Sequence, residues 1–303
     1  MKYNIKMEYV VEIIKRQSES TTCLKFEIEN AGYGATMSRL LVMLNLCLLN
    51  ENNAVMDFTI KSGYKIKELF DLRHLENSNK KEKITIFGDF LQTVYYTPYR
   101  KNIVYPECTL FKNIDKYKWQ SILAYTLYHK PTTTLKAHIN DQKKYLNWDN
   151  YEIHIGLHIR RGDKTIEHPH VPVQVFTDFL NIEIEKYSGK KIGIYLCSDD
   201  PHIIHQINVK NADILWDDRE RRYNNSNLGM VIHNKELLMQ ESITASRIVC
   251  MLGECDSVIG LLNTQFTWLG GLLSMFRKNF DSSGHIMINP RTYERGHWSD
   301  SLE

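Results

Sequence analysis

An α/β protein built on parallel strands is the class this sequence predicts, and three observations carry the prediction. In the second half of the chain, short apolar segments alternate with stretches of helical periodicity. Three of those segments are followed at once by a polar cluster: Arg160-Arg161-Gly162-Asp163-Lys164, Ser198-Asp199-Asp200 and Asn263-Thr264-Gln265. In the first half, a strand-like segment, a glycine turn and an apolar helical run follow one another.

Residues 7–14 fit a helix or a strand equally well, and 23–28 alternate as a strand. The turn Asn30-Ala31-Gly32-Tyr33-Gly34-Ala35 leads into a helical run over 37–49. A strand, glycine turn and helix in this order let a backbone approach a ligand at a helix N-terminus, which makes Gly32 and Gly34 candidates. The spacing is not GxGxxG, so a plain tight turn fits equally well. A second strand is expected within 52–58, a polar loop over 77–83, and a helix over 118–135 interrupted by Pro131. Residues 139–150 read as a polar approach to the next unit, and the composition shift near Tyr151 divides the chain into 1–150 and 151–303.

The second half reads more sharply. The segment 153–159 (IHIGLHI) is a strand. Val175, Phe176, Phe179, Leu180 and Ile184 give 171–186 helical spacing. Residues 191–197 (KIGIYLC) form a buried strand, and a helix is expected over 201–207 after Asp199-Asp200. A long helix over 228–252, a strand over 256–262 (DSVIGLL) and a helix over 267–278 complete the pattern. Parallel sheets of this kind are covered on both faces and bind ligands at the C-terminal ends of their strands, so the three polar clusters converge on one site.

Composition narrows the class. The 303 residues include 43% hydrophobic and 24% charged, as in an ordinary globular protein, and 17 Tyr with 11 Phe argue against disorder. The balance of 38 Lys+Arg against 36 Asp+Glu excludes a strongly basic nucleic-acid coat and an acidic tail protein, yet leaves room for a local basic pocket. Six scattered cysteines without a CxxC pair read as reduced thiols. The N-terminal stretch has no signal-peptide pattern, and the longest apolar run, 40–49, is about half of what spans a bilayer. A cytoplasmic location is therefore expected, with no transmembrane segment. The Asn224-Asn225-Ser226 sequon and the Arg161-Gly162-Asp163 tripeptide are then chance matches.

Two adjacent arginines and a lysine after a buried strand form a dense cationic spot in a nearly neutral chain. Guanidinium forks match phosphate oxygens with paired hydrogen bonds, and a diphosphate leaving group needs such neutralisation as its charge develops. Asp163 can orient Arg160, Arg161 or Lys164. Glu167, just beyond, can serve as general base for an acceptor hydroxyl, or be a plain loop residue. His168 and His170 lack a third defined metal ligand. Asp199 and Asp200 can hold a divalent metal, but capping the helix expected at Pro201 together with orienting an arginine is the better reading.

These residues also carry a resemblance. His158-Ile159-Arg160-Arg161-Gly162-Asp163-Lys164 resembles the HxRRxDK signature of the fucosyltransferase superfamily, which holds the α1,6-, α1,2- and protein-O-fucosyltransferases. Ile194 to Pro201 is similar to the second motif of that group, a strand ending in [ST]-D-D, and the stretch from Asp256 through Asn263-Thr264-Gln265 to Gly270 resembles the third. The matches fall in order, chiefly over 151–275.

The resemblance implies a GT-B-like fold, two Rossmann-like domains with parallel sheets facing a cleft. Residues 1–150 would be the acceptor side and 151–303 the GDP-sugar-binding domain. It implies GDP-fucose as donor, a glycan hydroxyl as acceptor (α1,2 or α1,6 linkage), inversion at the anomeric carbon, and no required metal or cofactor. Arg160 would hold the diphosphate with Arg161 beside it, while Asp163 and Lys164 shape the donor pocket. Asn263, Thr264 and Gln265 would meet donor phosphate or fucose, Asp199 and Asp200 would support the site, and His158 would border the nucleotide. Two departures stand out. Glu167 lies four residues beyond Asp163, where the α1,6 pattern places its glutamate five beyond; and Ile248 stands where that pattern has an aspartate thought to meet the guanine. The competing readings are a metal-dependent phosphohydrolase using Asp163, Asp199, Asp200 and His168, and a non-catalytic module that binds nucleotide sugar or glycan.

Overall fold

A computed structural model describes residues 3–20, 22–28, 33–49, 55–60, 64–72, 82–86, 114–161, 170–222, 235–262 and 264–296. The chain divides into two compact units, Met1–Thr132 and Thr133–Ser301.

In the first unit, helix α1 (Tyr3–Glu19) precedes strand β1 (Thr22–Ile28), helix α2 (Tyr33–Leu49) and strand β2 (Val55–Ile60). A single turn, α3 (Ile66–Leu69), strand β3 (Glu82–Ile86) and helix α4 (Lys116–Tyr128) follow. The strands run parallel in the order β2-β1-β3. Val10 and Ile13 of α1, Met37, Leu40 and Leu44 of α2, and Trp119 and Ile122 of α4 are buried together with Met56 and Phe58 of β2. Trp119 Nε1 donates to Asn45 Oδ1 at 2.9 Å, which satisfies the indole inside this apolar layer.

Several local expectations are corrected here. Residues 7–14, ambiguous by pattern, lie inside α1. Of the loop expected over 77–83, residues 82 and 83 begin β3. The helix expected over 118–135 is two helices: α4 ends at Tyr128, and a second begins beyond Pro131, whose ring and missing N–H bar continuation. Asp115 starts α4, its Oδ1 accepting from Tyr117 and Lys118 N–H at 3.0 Å each.

The second unit opens with helix α5 (Thr133–Tyr145), where a polar approach was expected. Its inner face carries only Leu135, Ile139 and Gln142, so the helical stripe is thin and ends on a polar residue. The order then runs β4 (Ile153–Ile159), α6 (Val173–Glu185), β5 (Ile192–Ser198), β6 (Asp213–Leu215), α7 (Lys235–Leu252), β7 (Ser257–Leu261), α8 (Gln265–Arg277), β8 (His285–Ile288) and β9 (Arg295–Gly296). The sheet order is β6-β5-β4-β7-β8-β9, parallel except for β9. Phe176, Leu180 and Ile184 of α6 join the strands in one core. On the opposite face α7 and α8 close in: a Cβ on Gly156 of β4 would meet Leu252 at 2.7 Å, and one on Gly270 of α8 would meet the same leucine at 2.5 Å.

No α-helix forms over 201–207. Asp200 Oδ1 accepts from His202 N–H at 2.9 Å, and this local turn leaves only a short 3₁₀ stretch, Ile203–Gln206. At the far edge, Arg295 of β9 reaches back with Nη2 to the carbonyl oxygens of Ser283 (3.0 Å) and His285 (3.3 Å).

Candidate functional site

Strand β4 lies at the centre of the second sheet, with β5 on one side and β7 on the other. The chain leaves β4 towards β5 and β6, then returns to the other side for β7 and β8, so β4 and β7 bound the point where the strand order reverses. Open parallel sheets bind their ligands at the carboxyl ends of the strands at such a point. Arg160 and Arg161 directly follow β4, Asp199 and Asp200 directly follow β5, and Thr264 precedes α8 after β7.

The register explains how the first two pairs meet. Ile159 is level with Ser198, so the next residues, Arg160 and Asp199, leave the sheet side by side. Arg160 Nη1 lies 2.8 Å from Asp199 Oδ2, and Arg161 N–H donates to Asp199 Oδ1 at 2.7 Å. One carboxylate therefore fixes the side chain of one arginine and the backbone of the next. The Asp199 side chain is only 10% exposed and that of Arg160 31%, so the acid is sealed in while the guanidinium opens partly to solvent. Asp199 acts as the arginine orienter and not as a helix cap. Ser198 Oγ accepts from Asp200 N–H at 3.1 Å, and Asp200 makes the turn to His202. Burial pulls the half-buried Arg161 down from the usual guanidinium range, and the charges of Asp200 and Asp199 oppose the shift. His170 Nε2 lies 3.0 Å from the Arg161 carbonyl oxygen, a backbone contact.

On the other side of β4, His158 is buried and its ring stacks on Phe266, centroids 5.6 Å apart. Its Nδ1 is 2.9 Å from Thr267 Oγ1 and 3.5 Å from Thr264 Oγ1, and the two threonine hydroxyls are 2.6 Å apart. Burial, then the neighbouring Arg160 charge, pushes this imidazole down to about 3, so it is neutral at physiological pH. Thr264 Oγ1 donates to the Leu261 carbonyl at 2.8 Å and makes no cap bond to its own helix. Gly260 permits this packing: a Cβ there would meet Thr267 Oγ1 at 2.4 Å and the His158 carbonyl at 2.9 Å. Gln265 begins α8 and is partly exposed.

Two further residues belong to this end of the sheet and carry no motif. Glu241 of α7 is raised to about 7 by burial, with the Arg160 charge opposing and Glu220 reinforcing the shift. Its signal in the sequence is a carboxylate at helical spacing between buried Leu238 and Ala245. Arg222 is the second: its Nε donates to the Ser198 carbonyl at 3.2 Å. Arg222 sits in the charged run Arg219-Glu220-Arg221-Arg222, which reads as a solvated segment until the fold is known.

Gly32, Asp163, Lys164, Glu167, His168 and Asn263 lie outside the described residues. Gly34 is in the first unit, buried in the first turn of α2, where its carbonyl accepts from Ser38 Oγ at 3.0 Å. Among the described residues no three His, Cys, Asp or Glu come together as metal ligands. Asp199 Oδ1 accepts from Arg161 N–H, and Oδ2 forms the ion pair with Arg160. Cys47, Cys197, Cys250 and Cys255 are buried. No helix among the described residues is long and apolar enough to cross a membrane.

Solved structures supply the comparison. The selenomethionine form of fucosyltransferase NodZ from Bradyrhizobium matches with a TM-score of 0.51 at 12% sequence identity, over 91% of this chain and 97% of that one. The chain is similar in fold to the fucosyltransferase NodZ. A second NodZ structure, described as an α-1,6-fucosyltransferase co-crystallised with GDP, matches with a TM-score of 0.50 at 12% identity, over 83% of this chain and 92% of that one. At this identity the likeness to NodZ is one of fold, and the fold class is α/β with mostly parallel sheets. No family model matches the chain, and no curated protein sequence matches it.

Proposed function

We propose that this protein is a glycosyltransferase that moves fucose from GDP-fucose to a hydroxyl of a glycan acceptor. The observation that carries the reading is Arg160, partly open at the end of the central strand and held by a sealed carboxylate beside the strand-order reversal. The structural likeness to GDP-binding NodZ supports it.

In this reading the second unit takes the donor and the first serves the acceptor. Arg160 and Arg161 meet the diphosphate, with Asp163 and Lys164 shaping the donor pocket and Asp199 and Asp200 supporting it. Asn263, Thr264 and Gln265 contact phosphate or fucose from the start of α8, where backbone N–H groups favour an anion. His158 borders the nucleotide as a neutral group, so it supplies shape and hydrogen bonding and no charge. Gly34, in the first turn of α2, and Gly32, which precedes that helix in the sequence, remain candidates for a close backbone approach to a ligand. The reaction is a single displacement. The acceptor oxygen attacks the fucose anomeric carbon from the face opposite GDP, loses its proton to Glu167, and GDP departs with the bonding pair. Inversion follows, and no resident metal is needed because the guanidinium pair neutralises the developing charge.

Substitution Arg160→Ala tests the reading. We expect kcat for fucosyl transfer to fall by about 10²–10³, on the order of 3–4 kcal/mol, with weaker GDP binding by calorimetry. Full turnover with unchanged GDP affinity would remove Arg160 from the site.

A further inference from the structure

We infer that Arg222 is a positioning residue that sets the phosphate-facing arginine through the Ser198–Asp199 peptide. The inference rests on the donor-site reading above.

Its guanidinium binds three backbone carbonyls at once: Nε to Ser198 at 3.2 Å, Nη1 to Glu220 at 2.9 Å and Nη2 to Asp217 at 2.7 Å. Its carbon centre lies 3.6 Å from the Trp216 ring centroid, a cation–π seat that fixes the plane of the fork. Among the described residues, the Ser198 bond is the one that leaves the loop carrying Arg222. It lands on the residue before Asp199 and holds the peptide plane from which the Asp199 side chain departs. Asp199 then spends one oxygen on Arg160 and the other on Arg161 N–H. The path is Arg222, the Ser198 carbonyl, the peptide link to Asp199, and Arg160.

The loop is itself anchored from behind. Glu220 accepts from Arg247 Nη2 of α7 at 2.6 Å and from Gln142 Nε2 of α5 at 2.7 Å, and Tyr195 OH of β5 donates to Gln142 Oε1 at 3.2 Å. These groups are largely buried, and buried polar networks with mutual bonds hold one geometry. Arg222 is thus a rigid strut. A flexible lysine offers one point of charge and cannot span three carbonyls.

A double-substitution cycle read by calorimetric GDP titration tests this, with thermal melts to establish folding. We expect Arg222→Lys to weaken GDP binding by about tenfold, within the range for residues coupled in one network. In the Asp199→Asn background the same change should cost less than about twofold, because the route to Arg160 is already cut. Trp216→Leu, which removes the seat and leaves the fork, should give a smaller loss suppressed in the same way, and it serves if Arg222→Lys does not fold. Equal losses on both backgrounds overturn the inference, as does a loss from Arg222→Lys exceeding that of Asp199→Asn, since a residue acting through Asp199 cannot cost more than Asp199 itself. If the unsubstituted chain binds no GDP, the donor-site reading falls and takes the inference with it; binding with additive losses overturns the inference alone.

Discussion

At the scale of single residues, protonation state decides what the site presents to a ligand. Glu241, held near 7 by burial, is largely protonated in mildly acidic solution and leaves Arg160 to Asp199; charged at higher pH, it adds a second negative group beside the same arginine. The unfolded carboxyl titrates near 4.3, so between that value and about 7 the native state holds a proton that the unfolded chain lacks. Its contribution to stability therefore falls as pH rises through that window. Urea midpoints at about pH 5 and pH 8 should show this fall in the unsubstituted chain, and Glu241→Gln should lack that component. His158 and His285, both depressed to about 3, act in the opposite sense below about 6.5, but they do so equally in both chains and cancel in the comparison. An unchanged pH profile in Glu241→Gln would show that this carboxyl titrates normally.

Among elements, the ends of β4, β5 and β7 do the positioning, and they are also what the sequence made most legible. Residues 153–159 and 191–197 are continuous apolar runs because both faces of the sheet are covered, and polar clusters directly after them can only lie at strand ends. The Arg160–Asp199 meeting follows from that pattern once the two strands pair in register. Other elements carry weaker sequence signals. Helix α5 carries a glutamine on its buried face, β6 and β9 are three and two residues long, and the turn at Asp200 outcompetes the helix that Pro201 favours. Glu241 and Arg222 carry no local motif, since their importance comes from what α7 and the loop after β6 are packed against. The tight contact of β7 with α8 gives a prediction at this scale. Gly260→Ala should cost about 1–3 kcal/mol in a denaturant melt, because the His158 carbonyl at 2.9 Å is backbone and cannot yield. The same substitution should weaken GDP binding by displacing Thr267 from His158. Wild-type stability in Gly260→Ala would mean that β7 and α8 are less closely packed than described.

For the whole molecule, the two units each carry a sheet, parallel in the first and mostly parallel in the second. A reaction that relies on guanidinium neutralisation predicts fucosyl transfer unchanged in excess EDTA; abolition by the chelator and rescue by added divalent metal would favour a phosphohydrolase or a metal-assisted transferase. The outer border of the second sheet carries a different consequence. An uncovered terminal strand is a template on which another polypeptide can add itself, the first step towards fibrous aggregates. Here the outermost strand is β9, held antiparallel on β8 and two residues long among the described residues. The opposite border is the three-residue β6, too short to template much. Brevity at both described rims leaves little backbone on which intermolecular zippering could start.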